Sequence, residues 1–212
     1  MILRTKLIIS ILILLSNMSV AMFNVSAKHT LEQQELTALV NNDPRNPNHR
    51  FELAMNYAYT GWIELGWEQL SLIPKLEKNY EKVVFEKYSK KIKEDPNNWT
   101  YHFKIAFAHY FSDNKEAALN SFKKVIELNP KQVWTMGFIA LIYGEKQNLD
   151  ECIKWCKRAL AIENNATAIH FLLGKAYYEG GNFFGFMGES MSVVKLKSVE
   201  AKYRPTPPIG IQ

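Results

Sequence analysis

The chain has 212 residues, 47% of them apolar and 22% charged, with ten glycines and eight prolines. That balance excludes a disordered or low-complexity chain, and the length suits one domain at roughly 150 residues each. The formal charge of +5 falls to +3 without residues 1–21, which hold Arg4 and Lys6 and no acid (26 − 2 = 24 basic against 21 acidic). With the lysines of 78–87 interleaved with Glu81 and Glu86, this charge is a solvated helix face and excludes a basic stripe for nucleic acid.

From the N-terminus, Arg4 and Lys6 precede an apolar run from Leu7 to Leu15, and small residues follow at Ser19, Ala21, Ser26 and Ala27. This layout predicts a secretory signal peptide over 1–27, cleaved after Ala21 or Ala27. The alternative is an uncleaved membrane anchor; a spanning helix needs about 20 apolar residues, and Ser16, Asn17, Ser19 and Asn24 interrupt this one. The rest of the chain is expected to be exported, periplasmic or secreted, or anchored by this segment.

Downstream, Thr30–Asn42 reads as a short helix. Arg50–Thr60 and Trp62–Ile73 read as a helix pair, with Gly66 at a small-residue position. Lys75–Glu94 reads as one added helix, with Pro74 at its start and Asp95-Pro96 at its end. Residues 28–98 are thus degenerate repeat helices plus one extra helix, 75–94.

From residue 99 the chain repeats. Ile105, Ile139 and Leu173 stand 34 positions apart, as do Ala106, Ala140 and Gly174, then His109, Tyr143 and Tyr177. In the second half of the unit Ala118 pairs with Cys152, Phe122 with Cys156, Val125 with Ala159 and Leu128 with Ile162. Apolar spacings of three and four mark two amphipathic helices per unit. The small residues let the two backbones approach, and Pro96 and Pro130 punctuate the joins. The pattern resembles the tetratricopeptide-repeat family: Ile105-Ala106 through His109, then Ala118, Phe122 and Pro130, stand at its small, aromatic and proline positions, and Leu173-Gly174 with Tyr177 reproduces its Leu-Gly-x-x-Tyr core. His102, Met136 and His170 stand where the family has Trp. Two units, 99–132 and 133–166, are full; 167–203 is a degenerate unit with a capping helix resuming near Glu189, and 204–212 an extended tail. The resemblance implies an all-α helix-turn-helix solenoid, a right-handed superhelix of nine or ten helices.

No catalytic constellation emerges, and an enzyme is not expected; no cofactor is expected either. His102, His109 and His170 read as core residues. Cys152 and Cys156, four apart on one helix, place their Cβ atoms about 5–6 Å apart, too far for a disulfide, and read as two buried thiols.

The resemblance further implies that the first helices of successive pairs line a concave groove. Carried over by position, its walls are Phe103, Phe107 and Tyr110; then Trp134 and Leu141; then Phe171, Lys175 and Tyr178. Aromatics of this density at solvent-facing positions mark an interaction site. The expectation is a non-catalytic scaffold or adaptor for a protein or peptide, with truncation of Phe103 and Phe107 weakening binding by about 1 kcal/mol. A lipid or other apolar ligand is the alternative. The groove could also be filled by the chain's own 75–94 or C-terminal helix. The family's Lys/Asn carboxylate clamp is absent, since Phe51, Met55, Phe103 and Phe107 stand there. Membrane contact is expected only through an uncleaved N-terminus, and homo-oligomers through the groove or the solenoid ends are possible.

Overall fold

A computed structural model describes residues 26–210 and contains ten helices and no strand among them. The signal-peptide expectation, 1–27, lies outside the described residues save for Ser26 and Ala27. The helices are α1 (Ala27–Asn42), α2 (Pro47–Thr60), α3 (Ile63–Leu76), α4 (Tyr80–Glu94), α5 (Trp99–Phe111), α6 (Lys115–Leu128), α7 (Val133–Glu145), α8 (Leu149–Leu160), α9 (Thr167–Glu179) and α10 (Phe183–Tyr203).

The 34-residue period is written into the turns. Asn114, Asn148 and Asn182 cap α6, α8 and α10, each side chain accepting from the backbone N–H three residues on. Such a cap contributes about 1 kcal/mol. The residue before each cap sits in the left-handed region: Asp113 at φ 57°, Gln147 at 60° and Gly181 at 76°. Ala106, Ala118, Ala140 and Cys152 are fully buried, so small side chains stand where paired helices close on one another. A Cβ on Gly174 would lie 3.1 Å from Glu189 Cβ of α10. Helices pack in chain order: α5 on α6, α6 on α7, α7 on α8, α8 on α9, α9 on α10.

The third unit is therefore complete. The helix expected to resume near Glu189 begins at Phe183, because Asn182 supplies its cap and Gly185 fits where a Cβ would come within 2.7 Å of Tyr177 Cδ2. Upstream, α3 continues through Pro74 to Leu76, since proline in a last turn forfeits only its own amide bond. The helix expected over 75–94 starts at Tyr80, after Asn79 turns the chain at φ 56°.

The α2–α3 hairpin departs from simple stacking. Gly66 lies close to its partner helix, a Cβ there falling 3.2 Å from Ala54 O, as in a repeat pair. Yet α2 runs antiparallel to α5. Phe51, near its start, shares a crevice with Ala108 and Phe111 at the end of α5, while Tyr59, near its end, meets Trp99 and Phe103 at the start. Gln132 Nε2 of the α6–α7 turn donates to Tyr59 O at 2.8 Å. The hairpin lies across the first helices of the array, and α4 takes the place of a second helix packed on α5.

Two polar clusters fasten it. Glu52 of α2 accepts from Lys87 and Tyr88 of α4 and from Lys104 of α5, the two lysines at 2.7 Å. Burial alone would raise this carboxyl; the Lys104 charge and the three donors outweigh it and hold the pKa at about 2. Arg50, fully buried, donates to Pro44 O, to Gln69 Oε1 and to Ile209 O. The last contact belongs to the tail, which returns over α1 and α2: Pro208 is buried, and Ile209 N donates to Asn41 Oδ1.

Candidate partner-binding cleft

The expected groove splits in two. Over its first half, α3 lies on the aromatic row. Trp67 meets Phe111 edge-to-face at 5.8 Å and covers a narrow gap walled by Phe107, Tyr110, Phe138 and Leu141. Phe103 and Phe107 are 0% and 2% exposed, packed among Phe122 and Phe138 with ring centroids 4.8–5.8 Å apart. The sequence placed them facing solvent. The structure makes them core, because the chain's own α2–α3 hairpin fills this half. The segment that does so is neither 75–94 nor the C-terminal helix.

The second half is open. A cleft of about 390 Å³ lies between α3, α7 and α9, walled by Ile63 and Trp67, by Trp134, Gly137, Phe138 and Leu141, and by Ala168, Ile169, Phe171 and Leu172. Its floor is set by turn geometry. Gly61 has φ 99°, and a Cβ there would lie 2.3 Å from Trp134 Cζ2, so only glycine lets the hairpin turn rest on the indole. At Gly137 an added Cβ would fall 3.2 Å from Ile169 Cγ1 of α9, so glycine here eases the approach of that helix.

Polar groups stand at one end. Glu145 accepts from Tyr110 O–H at 2.5 Å and pairs with Lys115 at 3.0 Å; burial and this carboxylate push the Tyr110 phenol up. Lys175 pairs with Glu179 at 2.9 Å. The carboxylates are thus tied into structural pairs, and the walls are hydrocarbon and aromatic.

Residues 100–132 and 135–165 match the family model for the tetratricopeptide repeat. These two units are tetratricopeptide repeats. Stress-induced-phosphoprotein 1 of Caenorhabditis elegans is 30% identical over 77 residues, 36% of this chain and 24% of that protein. The chain therefore spans about a quarter of that relative. Among solved structures, the crystal structure of MamA aligns over 81% of this chain and 90% of its own, at 17% identity and TM-score 0.47. The MamA RS-1 ArsTM double mutant aligns over 82% and 88%, at 13% identity and TM-score 0.50, a likeness of fold alone. Tetratricopeptide arrays are helical solenoids whose concave surfaces serve as protein-interaction scaffolds.

Of the eight positions read from the sequence, Trp134, Leu141, Phe171 and Lys175 come together on the open cleft. Phe171 is 64% exposed at its lip, while Trp134 is buried beneath the hairpin turn. Tyr110 lies in the narrow gap, and Tyr178 is exposed beside Phe186, ring centroids 5.3 Å apart. Ile63 and Trp67 were missed. The spacing along α3 could not single them out, because Ile63, Trp67 and the buried Leu70 continue one apolar stripe.

His170 is buried, with one ring nitrogen at 2.5 Å from Glu189 Oε2 and the other at 2.9 Å from Asn164 O, which pins α9 to α10. His102 and His109 are half-buried. Cys152 and Cys156 are buried free thiols.

Proposed function

We propose that the protein is an exported, non-catalytic scaffold that holds an apolar segment of a partner protein in the α3–α7–α9 cleft. One observation carries the reading: the same groove already holds a segment of this kind. Over its first half the occupant is α3, an amphipathic helix whose Trp67 lies over the aromatic row; over its second half the row continues with the lip residue Phe171 exposed. A cleft of this volume takes a few bulky side chains, within the roughly 300–1,000 Å³ of ordinary ligand sites. The paired carboxylates leave apolar contact as the basis of recognition. The export reading rests on residues 1–27 alone.

Crosslinking of a C-terminally tagged chain in its native host, with mass spectrometry of bait and prey, tests both parts. A recurrent exported or envelope protein should be captured by wild type and lost, at least fivefold, in Phe171→Ala. Bait beginning at Met22 or Lys28 supports cleavage; bait beginning at the initiator supports anchoring. Prey unaffected by Phe171→Ala removes the cleft from the reading. A co-purified lipid, displaced by the same substitution with no protein prey, replaces the partner segment with an apolar small ligand.

A further inference from the structure

The array ends on a face that its own repeats show how to cover. Within the chain, each second helix receives the first helix of the next unit: α7 lies on α6, and α9 on α8. Lys123 of α6 stands 5.6 Å from the ring of Tyr143 on α7, and Lys157 of α8 stands 5.7 Å from the ring of Tyr177 on α9. These lysines mark the covered face. On α6 the residues one turn to either side, Leu119 and Ile126, are 2% and 7% exposed.

Helix α10 is the third member of this series, and the residues described after it, 204–210, are extended and do not cover it as a first helix would. Counting 34 on from Ile153, Lys157 and Leu160 gives Met187, Met191 and Val194, which are 45%, 72% and 74% exposed. Phe184, on the same stripe, is 89% exposed. The charged member of the series has become methionine, so the final face is more apolar than the two the chain covers itself. A Cβ on Gly188 would meet nothing within 4 Å, which leaves the backbone open to close approach. Terminal units of a soluble solenoid need a polar outer face, and this one has the reverse.

The opposite end is the poorer match for this face. There α4 presents Lys82, Glu86, Lys90 and Lys93 to solvent, and the returning tail lies over α1 and α2. Among the described residues the exposed large apolar side chains there are Leu31 and Leu39 of α1 and Ile209 of the tail, fewer than α10 carries. The better match is α10 of another copy, and such like-to-like pairing closes after two subunits.

We propose that the protein self-associates through α10, two copies pairing antiparallel about a two-fold axis near Met191. Complete burial of the four stripe residues would hide roughly 500 Å² per copy, about the 1,000 Å² total at which specific interfaces begin.

The M191C variant, oxidised mildly in the host, should form a covalent dimer, because two-fold symmetry brings residue 191 against itself. Light scattering of the full-length chain should give twice the monomer mass, with Met191→Lys or Val194→Lys weakening association at least tenfold at unchanged melting temperature. A monomeric wild type at micromolar concentration overturns the proposal, as does a dimer indifferent to both lysine substitutions. Binding of the monomer to lipid vesicles that is lost in Met191→Lys would overturn it too, assigning the face to a membrane surface.

Discussion

Phe107 and Phe171 both stand on groove-facing positions of their helices, yet one is core and the other solvent-exposed. The difference lies in what crosses above them. Helix α3 covers the first half of the groove and only borders the second, as one wall of the cleft. A position within a repeat therefore fixes which way a side chain points, and a distant segment decides whether it meets water, protein or a ligand.

The largest expected effect tests this contrast. Phe107→Ala, buried among aromatics, should cost about 3–5 kcal/mol in denaturant unfolding, as large-to-small core changes do. This replaces the expectation that truncating Phe103 and Phe107 would chiefly weaken binding. A loss under about 1 kcal/mol would mean that the first half of the groove is open after all.

Acid should act on the fastening of the covered half. Glu52 has its folded pKa depressed to about 2 from an ordinary 4.5. Its contribution is present above pH 4.5 and is lost as pH falls toward 2, at most about 3 kcal/mol in all. Thermal melts across this range should fall in the wild type and flatten in Glu52→Gln. Parallel curves would remove Glu52 as the fastening group.

Smaller effects sharpen the comparison. Asn182→Ala should cost about 1 kcal/mol by calorimetry, as an ordinary N-cap does, if α10 is a true repeat helix beginning at Phe183. Phe171→Ala should shift stability by no more than about 0.5 kcal/mol, as exposed positions do, even though it removes the lip of the cleft. A larger loss would place Phe171 in the core with Phe107.

Much of the array was legible because local rules govern it. Ala106, Ala140 and Gly174 announce close helix pairs, and the breakers between helices give the period. The start of α10 was hidden by Gly185 and Gly188, since glycine weakens a helix interior; Asn182, in line with Asn114 and Asn148, was the stronger signal. Pro74 misplaced a boundary because it is tolerated in a last turn as well as a first. That the chain can fill its own groove was foreseen; which segment does so, and over which half, could not be read. It depends on Tyr59 reaching Phe103 and on the hairpin turn at Gly61 resting on Trp134, contacts that span 44 and 73 residues and leave no periodic trace. For the same reason Ile63 and Trp67 escaped notice, since only the folded hairpin faces them toward α7 and α9.

The returning tail has a consequence for how the molecule comes apart. A plain repeat array can fray from either end, unit by unit. Here Arg50 holds Ile209 across 159 residues of chain, and Arg204 and Lys197 hold Glu68 and Glu64. Peeling the last helix also unfastens the first ones, so the ends cannot loosen independently. Such a closed circuit should unfold as one cooperative unit, and it should fold slowly for an all-helical chain, because its final contacts wait until both ends exist.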